Sequence, residues 1–317
     1  MPIQNKFISF VLVFGAVLSA IAGTGVSLQV RLEEVLAIGG PDADLLFQWT
    51  GVSVDRDDQI FVIDTLDYSL KKFDPHGRLL GKVGRRGQGP GEFEKAVGVA
   101  VVGDSVYAWD LSVRAVQVFD RNLVYRKSVP LPGLVDGLGC APDGNLGVGI
   151  LGPEGFPKII VIDSEGKIVQ EIVSREKEDR LFGDSVRFVF GPAGETYSGF
   201  LFRDLVEKRD PSGVRIWAKN PWGTKSVQLR EIRGFKVPTE SCVLSVARDS
   251  RGRIYVLGGK KAPHPARDVL IYNSDGVPAG GFLLPDASHS LYFDHRDFLY
   301  VAADGGVTLK KYRLVID

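Results

Sequence analysis

The sequence predicts an all-β protein, a six-bladed β-propeller of four-stranded antiparallel blades that is closed by its own N-terminal strand. Three observations support this prediction. A turn rich in acidic residues or glycine, followed by an apolar strand, recurs six times along the 317 residues. A second turn motif recurs between these copies, and the last copy lacks an outer strand that the N-terminal region can supply. Such regular spacing is typical of a repeat architecture.

The first motif is represented by VDRDDQIFV at 54–62. Its six copies align on one anchor position in the strand that follows the turn. A propeller blade of four short strands takes about 40–50 residues, so each copy predicts one blade. The anchors are Phe61, Tyr107, Gly147, Tyr197, Tyr255 and Tyr300, at spacings of 46, 40, 50, 58 and 45 residues.

The second motif is a tight turn whose core reads DPHG, DSEG, DPSG or NSDG. Its first Asp or Asn can accept hydrogen bonds from nearby backbone N–H groups, and its glycine tolerates positive φ before the next strand. An example is LKKFDPHGRLLGKV at 70–83. The motif therefore predicts a hairpin between the third and fourth strands of a blade.

The last repeat ends at Asp317 after its third strand, so its outer strand must come from elsewhere. Residues 28–38, LQVRLEEVLAI, precede the first blade and resemble the outer-strand segment LLGKV at 79–83. We expect this N-terminal strand to complete the sixth blade. Pairing of the two chain ends would remove exposed strand edges and close the ring.

The stretch GKVGRRGQGPGEFEKAVGVAV at 81–101, with the preceding FVIDTLDYSLKKFD, resembles the NHL-repeat family of six-bladed propellers. The resemblance is sharp over residues 51–131 and looser over repeats three to five. It implies the fold, while NHL-type propellers include both binding modules and enzymes. The matching residues are Gly84, Gly87, Gly89, Pro90, Gly91 and Phe93 in the glycine-rich connection, Asp64 and Asp110 at the end of the anchor strand, and Phe73, Asp74, Phe119 and Asp120 at the end of the third strand.

The first 22 residues differ from the rest of the chain. Lys6 precedes the uncharged apolar run FISFVLVFGAVLSAIA at 7–22, which ends in the small-x-small pattern of Ala20 and Ala22. This organisation predicts a secretory signal peptide at 1–22, a propeller at 28–317, and a secreted or periplasmic location. The run is short for a bilayer-spanning helix. Membrane contact is therefore expected only through this segment, if it stays uncleaved.

Charge and cysteine content exclude several function classes. Lys plus Arg and Asp plus Glu both count 39, so no global field attracts nucleic acid, and none is expected as a partner. Cys140 and Cys242 lack the CxxC spacing of a zinc site. They lie in different repeats, which favours two small buried residues over a disulfide.

Residues that could support catalysis have simpler structural interpretations. The glycines of GRRGQGPGEF at 84–93 precede a strand, not the helix that a phosphate loop requires. Asp64 and Asp110 end strands, where an Asp commonly accepts backbone hydrogen bonds. His289 is expected near the channel mouth, with Asp286, Glu240 or Asp136 as candidate partners. No catalytic residue, metal ligand set or cofactor is predicted.

A basic and aromatic rim is the predicted binding surface. In a propeller, the connections between blades share one face with the links between second and third strands. We expect a binding or scaffold module that recognises a protein segment or a carbohydrate there. The alternative is a metal-dependent enzyme of the lactonase or lyase type, with its site in the central channel. The candidate ligand-binding residues are Arg85, Arg86, Lys95, Arg114, Arg203, Lys260, Arg267 and Trp222.

Overall fold

The predicted architecture is confirmed in the computed structural model, which describes residues 28–173, 184–223, 228–232 and 235–316. Six four-stranded antiparallel sheets and one two-stranded hairpin make up this part of the chain. Inner strands of successive blades contact one another, so the sheets form a ring around a central channel. The described residues contain no helix with the length and apolarity of a membrane span. The expected signal segment 1–22 lies outside the described residues.

Each of the first five blades is a simple meander from the inner to the outer strand. Blade 1 comprises β2 to β5 (Trp49–Val54, Ile60–Asp64, Ser69–Phe73 and Leu79–Val83), and blade 2 comprises β6 to β9 (Ala96–Val102, Ser105–Asp110, Ala115–Asp120 and Tyr125–Pro130). Blade 3 comprises β10 to β13 (Leu134–Cys140, Leu146–Leu151, Pro157–Ile162 and Ile168–Ile172), and blade 4 comprises β14 to β17 (Val186–Phe190, Thr196–Phe200, Val206–Arg209 and Arg215–Lys219). Blade 5 comprises β20 to β23 (Val243–Arg248, Ile254–Gly258, Asp268–Tyr272 and Pro278–Leu283).

The sixth blade joins the two ends of the chain, as expected. Its strands are β24, β25 and β26 (Leu291–Phe293, Phe298–Ala303 and Thr308–Ile316) and the N-terminal β1 (Val30–Gly39). Val30 pairs with Ile316 and Gly39 with Thr308, so β1 covers the whole edge of β26. The Tyr292 hydroxyl of β24 also accepts a 3.0 Å hydrogen bond from the backbone N–H of Val54, which joins blades 6 and 1.

The repeated motifs occupy equivalent places in the blades. All six anchors lie in the second strand of their blade. The turn glycines Gly77, Gly166, Gly213 and Gly276 have φ between 76° and 93°. In the first of these turns, Asp74 Oδ1 accepts 2.9 Å hydrogen bonds from the backbone N–H groups of His76 and Arg78. The local chemistry that the sequence predicted therefore forms the turns.

Antiparallel order divides the links into two faces. The turn face carries the links between first and second strands and between third and fourth strands. The loop face carries the links between second and third strands and the connections between blades. One such connection contains a hairpin formed by β18 (Leu229–Ile232) and β19 (Phe235–Pro238). All eight predicted binding residues lie in loop-face segments, as the topology requires.

Candidate binding site on the loop face and in the channel

Asp64 and Asp110 hold loop-face connections in place. Asp64 is fully buried and accepts hydrogen bonds from the backbone N–H groups of Phe47 and Gln48 at 2.8 and 2.9 Å. Asp110 accepts hydrogen bonds from the backbone N–H groups of Glu94 and Lys95, at 2.6 and 2.7 Å. Both carboxylates fasten the segment that enters the inner strand of their own blade, which confirms the structural interpretation.

The glycine-rich connection at 84–93 is a folded turn, as expected. The N–H of Gly87 donates to the carbonyl oxygen of Phe93 at 3.1 Å, and the N–H of Phe93 donates to the backbone carbonyl oxygen of Arg85 at 2.9 Å. The Phe93 side chain is fully buried, and strand β6 follows directly. A Cβ at Gly84 would overlap the carbonyl oxygen of Tyr68, and φ there is 116°. Close backbone packing therefore explains the glycine at position 84.

Three of the predicted rim residues are exposed cations. Arg86, Lys95 and Arg114 are exposed, and within the described part of the chain no carboxylate pairs with their side chains. They lie in the loop-face links of blade 2: Arg86 and Lys95 in the connection from blade 1, and Arg114 between the second and third strands. The backbone N–H of Leu111 donates to the carbonyl oxygen of Lys95 at 3.0 Å, which joins these two links. The Arg86 guanidinium lies 5.8 Å from the ring centroid of Tyr68. These three side chains can meet a ligand without breaking an internal ion pair.

Other rim residues are held by protein contacts. Arg203 bonds to Asp184 at 2.6 Å and lies 3.7 Å from the Phe200 ring centroid, so it is largely structural. Arg85 pairs with Glu92 at 2.5 Å, although it remains exposed.

The remaining three predicted residues surround blade 5. Arg267 Nε donates to the carbonyl oxygen of Leu284 at 2.8 Å. Trp222 is half-buried, and its backbone N–H donates to Asp204 at 3.0 Å. Lys260 is exposed. The hydrogen bond from Lys261 is the main reason why the pKa of the Glu240 carboxyl lies below its usual value, and the charge of Lys260 lowers that pKa further.

The central channel contains a cavity of about 650 Å³. This size lies within the range of small-molecule pockets. Its wall is formed by the inner strands of all six blades, together with Trp109 from a second strand. On blade 3, Gly137 and Gly139 contribute no side chains, and the ring of Phe188 lies over both positions. The missing side chains leave room for the Phe188 ring of the next blade.

Asp136 and Arg187 are two neighbouring charged residues of this wall, which also contains Arg248. Arg187 Nη1 donates to Ser185 Oγ at 2.8 Å and to the backbone carbonyl oxygen of Asp136 at 3.2 Å. Burial lowers the pKa of the Arg187 guanidinium, although Asp136 and Asp184 act in the opposite direction. Burial likewise raises the pKa of the Asp136 carboxyl, against the influence of Arg187. Both side chains line the cavity.

His289 lies in the channel wall near the loop face, as expected. Its ring packs edge-on against Trp49, with the ring centroids 5.0 Å apart. The imidazole is open to the channel but surrounded by protein, and this desolvation lowers its pKa to about 4. The suggested partners Asp286 and Glu240 instead pair with Lys310 and Lys261, at 3.2 and 2.6 Å. His289 is therefore a neutral group near pH 7.

The described residues contain no group of three His, Cys, Asp or Glu side chains that could hold a metal ion. Cys140 and Cys242 form no disulfide with each other, which agrees with the expectation that they do not pair. The expected burial is correct for Cys242 but wrong for Cys140, which is exposed. Cys140 ends an inner strand and lines the channel, where the ring has no packed core.

Sequence reasoning missed Arg187 and Trp109 as channel residues. The segment VRFVF at 186–190 alternates apolar residues with a single arginine, and that arginine is the signal that could have identified the site. An arginine in the innermost strand of a predicted propeller must face either the channel or a neighbouring blade. Trp109 belongs to a second strand, and its place above Gly98 depends on packing between strands.

No protein-family model matches the chain, and no curated protein matches it. The chain does match solved structures of other proteins. Virginiamycin B lyase from Staphylococcus aureus is 13% identical with a TM-score of 0.56, over 90% of this chain and 100% of the lyase. A gluconolactonase from Xanthomonas campestris is 13% identical with a TM-score of 0.57, over 90% of each chain. A candidate exported protein from Bacteroides fragilis is 13% identical with a TM-score of 0.58, over 90% of this chain and 95% of that one. At these identities, the similarity concerns the fold.

Proposed function

We propose that this chain is an exported NHL-like binding module whose loop face recognises a protein segment or a carbohydrate that carries negative charge. The observation that supports this function best is the set of three exposed cations around blade 2, Arg86, Lys95 and Arg114, which no described carboxylate neutralises. Export is supported by the apolar leader at 7–22. A candidate exported protein also shares the fold.

The chemistry of the rim favours an anionic partner. Guanidinium groups bind carboxylates, sulfates and phosphates through paired N–H donors, and an exposed guanidinium loses little hydration when it does so. Tyr68, beside Arg86, adds an aromatic surface on which a sugar ring or an apolar side chain can pack. The chain as a whole is neutral, so the attraction is local to blade 2.

A lactonase- or lyase-type enzyme is the second candidate. It is supported by the imidazole of His289, which lines the channel cavity. Two enzymes with these activities share the fold. A metal-dependent mechanism would need a ligand set that the described residues do not provide. Metal analysis of the purified protein tests this alternative, since one tightly held divalent ion per chain would favour the enzyme.

The rim is tested with a triple variant and a matched control on the opposite face. Arg86→Ser, Lys95→Ser and Arg114→Ser together should abolish retention on immobilised heparin and on a poly-glutamate peptide at physiological salt. Arg56→Ser, Arg251→Ser and Lys167→Ser make the same charge change in exposed turn-face positions and should leave retention unchanged. Equal losses in both variants would indicate non-specific electrostatics and would contradict the proposal.

A further inference from the structure

Three charged side chains line the channel cavity, Asp136, Arg187 and Arg248, and the first two are neighbours that are not paired with each other. Arg187 on β14 reaches the backbone carbonyl of Asp136 on β10, at 3.2 Å. Even so, no salt bridge joins the Arg187 guanidinium to a carboxylate among the described residues. Asp184, the other nearby carboxylate, is already occupied by Arg203 and by the N–H groups of Ser185 and Phe202.

Asp136 has an unmet hydrogen-bonding requirement. Its Oδ2 is buried and has no hydrogen-bond partner among the described residues, although Ser185 and the backbone N–H of Val186 donate to the carboxyl group. A buried polar atom without a partner costs about 1–3 kcal/mol, so such atoms commonly mark a place where something else binds. Arg187 is partly satisfied, since its bonds to Ser185 and Asp136 are both made through Nη1. Both residues face the same cavity.

The rest of the cavity is suited to an apolar group. Trp109, Leu138 and Phe188 belong to its lining. His289 adds no charge near pH 7 because its pKa is about 4. The cavity of about 650 Å³ can therefore enclose a small molecule with one charged pair and one apolar body.

The geometry points to a channel site for a small zwitterion, an α-amino acid with an apolar side chain. Its carboxylate would bind Arg187, its ammonium group would pair with the Asp136 carboxylate, and its side chain would pack against Trp109 and Phe188. This site is distinct from the rim around blade 2 and does not depend on it. A neutral sugar fits less well, because its hydroxyl groups would leave the two opposite charges without ionic partners.

The test is isothermal titration calorimetry of the purified chain near neutral pH, with L-phenylalanine and L-leucine as probes. Two analogues dissect the recognition: 3-phenylpropionate lacks the ammonium group, and 2-phenylethylamine lacks the carboxylate. We expect saturable binding of the amino acids and at least about tenfold weaker binding of each analogue, since a hydrogen bond to a charged group contributes that much.

Variants assign the two charges. Arg187→Gln and Asp136→Asn should each weaken L-phenylalanine binding about tenfold or more. Arg86→Ser, on the rim, should leave it unchanged, so loss of the rim function and loss of this site are separable. The inference is overturned if neither amino acid binds at concentrations up to about 10 mM, if the analogues bind equally well, or if glucose binds instead. Should a variant fail to fold, the analogue series on the unaltered protein still decides the matter.

Discussion

The indole N–H of Trp49 donates a 2.9 Å hydrogen bond to the carbonyl oxygen of Thr308, 259 residues further along the chain. Trp49 begins the inner strand of blade 1, and Thr308 begins the third strand of blade 6. The Trp49 side chain is fully buried. The bond therefore fastens the first blade to the last one, beside the place where β1 pairs with β26.

Replacing Trp49 with Phe should weaken the closure of the ring. The variant keeps most of the apolar surface but removes the indole N–H that donates to Thr308, and we expect a loss of about 1–3 kcal/mol in the free energy of unfolding. Trp109→Phe is the control, because the indole N–H of Trp109 is buried and has no hydrogen-bond partner in the part of the chain that the structure describes. Urea unfolding measures both variants. An equal loss in both would mean that the bond to Thr308 adds nothing beyond ring packing.

Replacing the buried lysine Lys71 should be costly. It is buried, and its ammonium group lies 2.9 Å from Asp64, 2.7 Å from Asp67 and 2.7 Å from the carbonyl oxygen of Leu45. Lys71→Met should lower the free energy of unfolding by about 3–5 kcal/mol, because it leaves a buried carboxylate without its cation.

Lys82→Met provides the matched control for Lys71. Lys82 pairs with the same Asp67 at 2.8 Å, but its side chain is 44% exposed. Its replacement should cost less than about 1 kcal/mol. Chemical denaturation of the two variants distinguishes the effects, and similar losses would show that burial does not control the strength of this network.

The sequence predicted the features that depend on local chemistry. Asp74 and Gly77 identify a turn because a side-chain acceptor and a positive φ are needed there and nowhere else in the hairpin. The pairing of β1 with β26 was predictable too, since the last repeat lacked one strand of a regular pattern.

The channel could not be predicted in the same way. Its chemistry depends on which residues of six inner strands meet, and the register of each strand decides whether a residue such as Arg187 faces the lumen. Blade 3 also departs from the other blades, because Gly137 and Gly139 have no side chains and the ring of Phe188 from the next blade packs over these two positions. The hairpin of β18 and β19 was unpredictable for another reason, since it occurs in one repeat only.

Asp136→Asn should stabilise the protein near pH 7. Burial raises the pKa of Asp136 in the folded state, so the folded protein binds its proton more tightly than the unfolded chain does. The stabilising protonated form is fully present below the unfolded pKa of about 3.9, and its benefit is lost as the pH rises through the folded pKa. The neutral amide avoids this loss.

Thermal unfolding at several pH values measures the effect of Asp136→Asn. The difference in stability between variant and unaltered protein should be largest near pH 7 and should shrink as the pH falls toward the unfolded pKa. Ser112→Ala serves as a control, since Ser112 bonds to Asp110 on the loop face, away from the channel. A variant that is less stable than the unaltered protein at neutral pH would show that Asp136 serves the fold and not a ligand.

Gly98→Ala should both destabilise the ring and disturb the channel. A Cβ at position 98 would overlap the six-membered ring of Trp109, which lies against the backbone there. We expect a loss of about 1–3 kcal/mol, because the indole must move toward the lumen or the strands must separate. Gly81→Ala on an outer strand should be nearly neutral, since its Cβ would meet only Leu123 Cδ1, at 3.5 Å.

The double variant Gly98→Ala with Trp109→Leu should recover part of the lost stability, measured by urea unfolding. If the double variant recovers nothing, the overlap with Trp109 does not cause the loss of stability. The cause would then be the close approach of the Gly51 and Gly98 backbones.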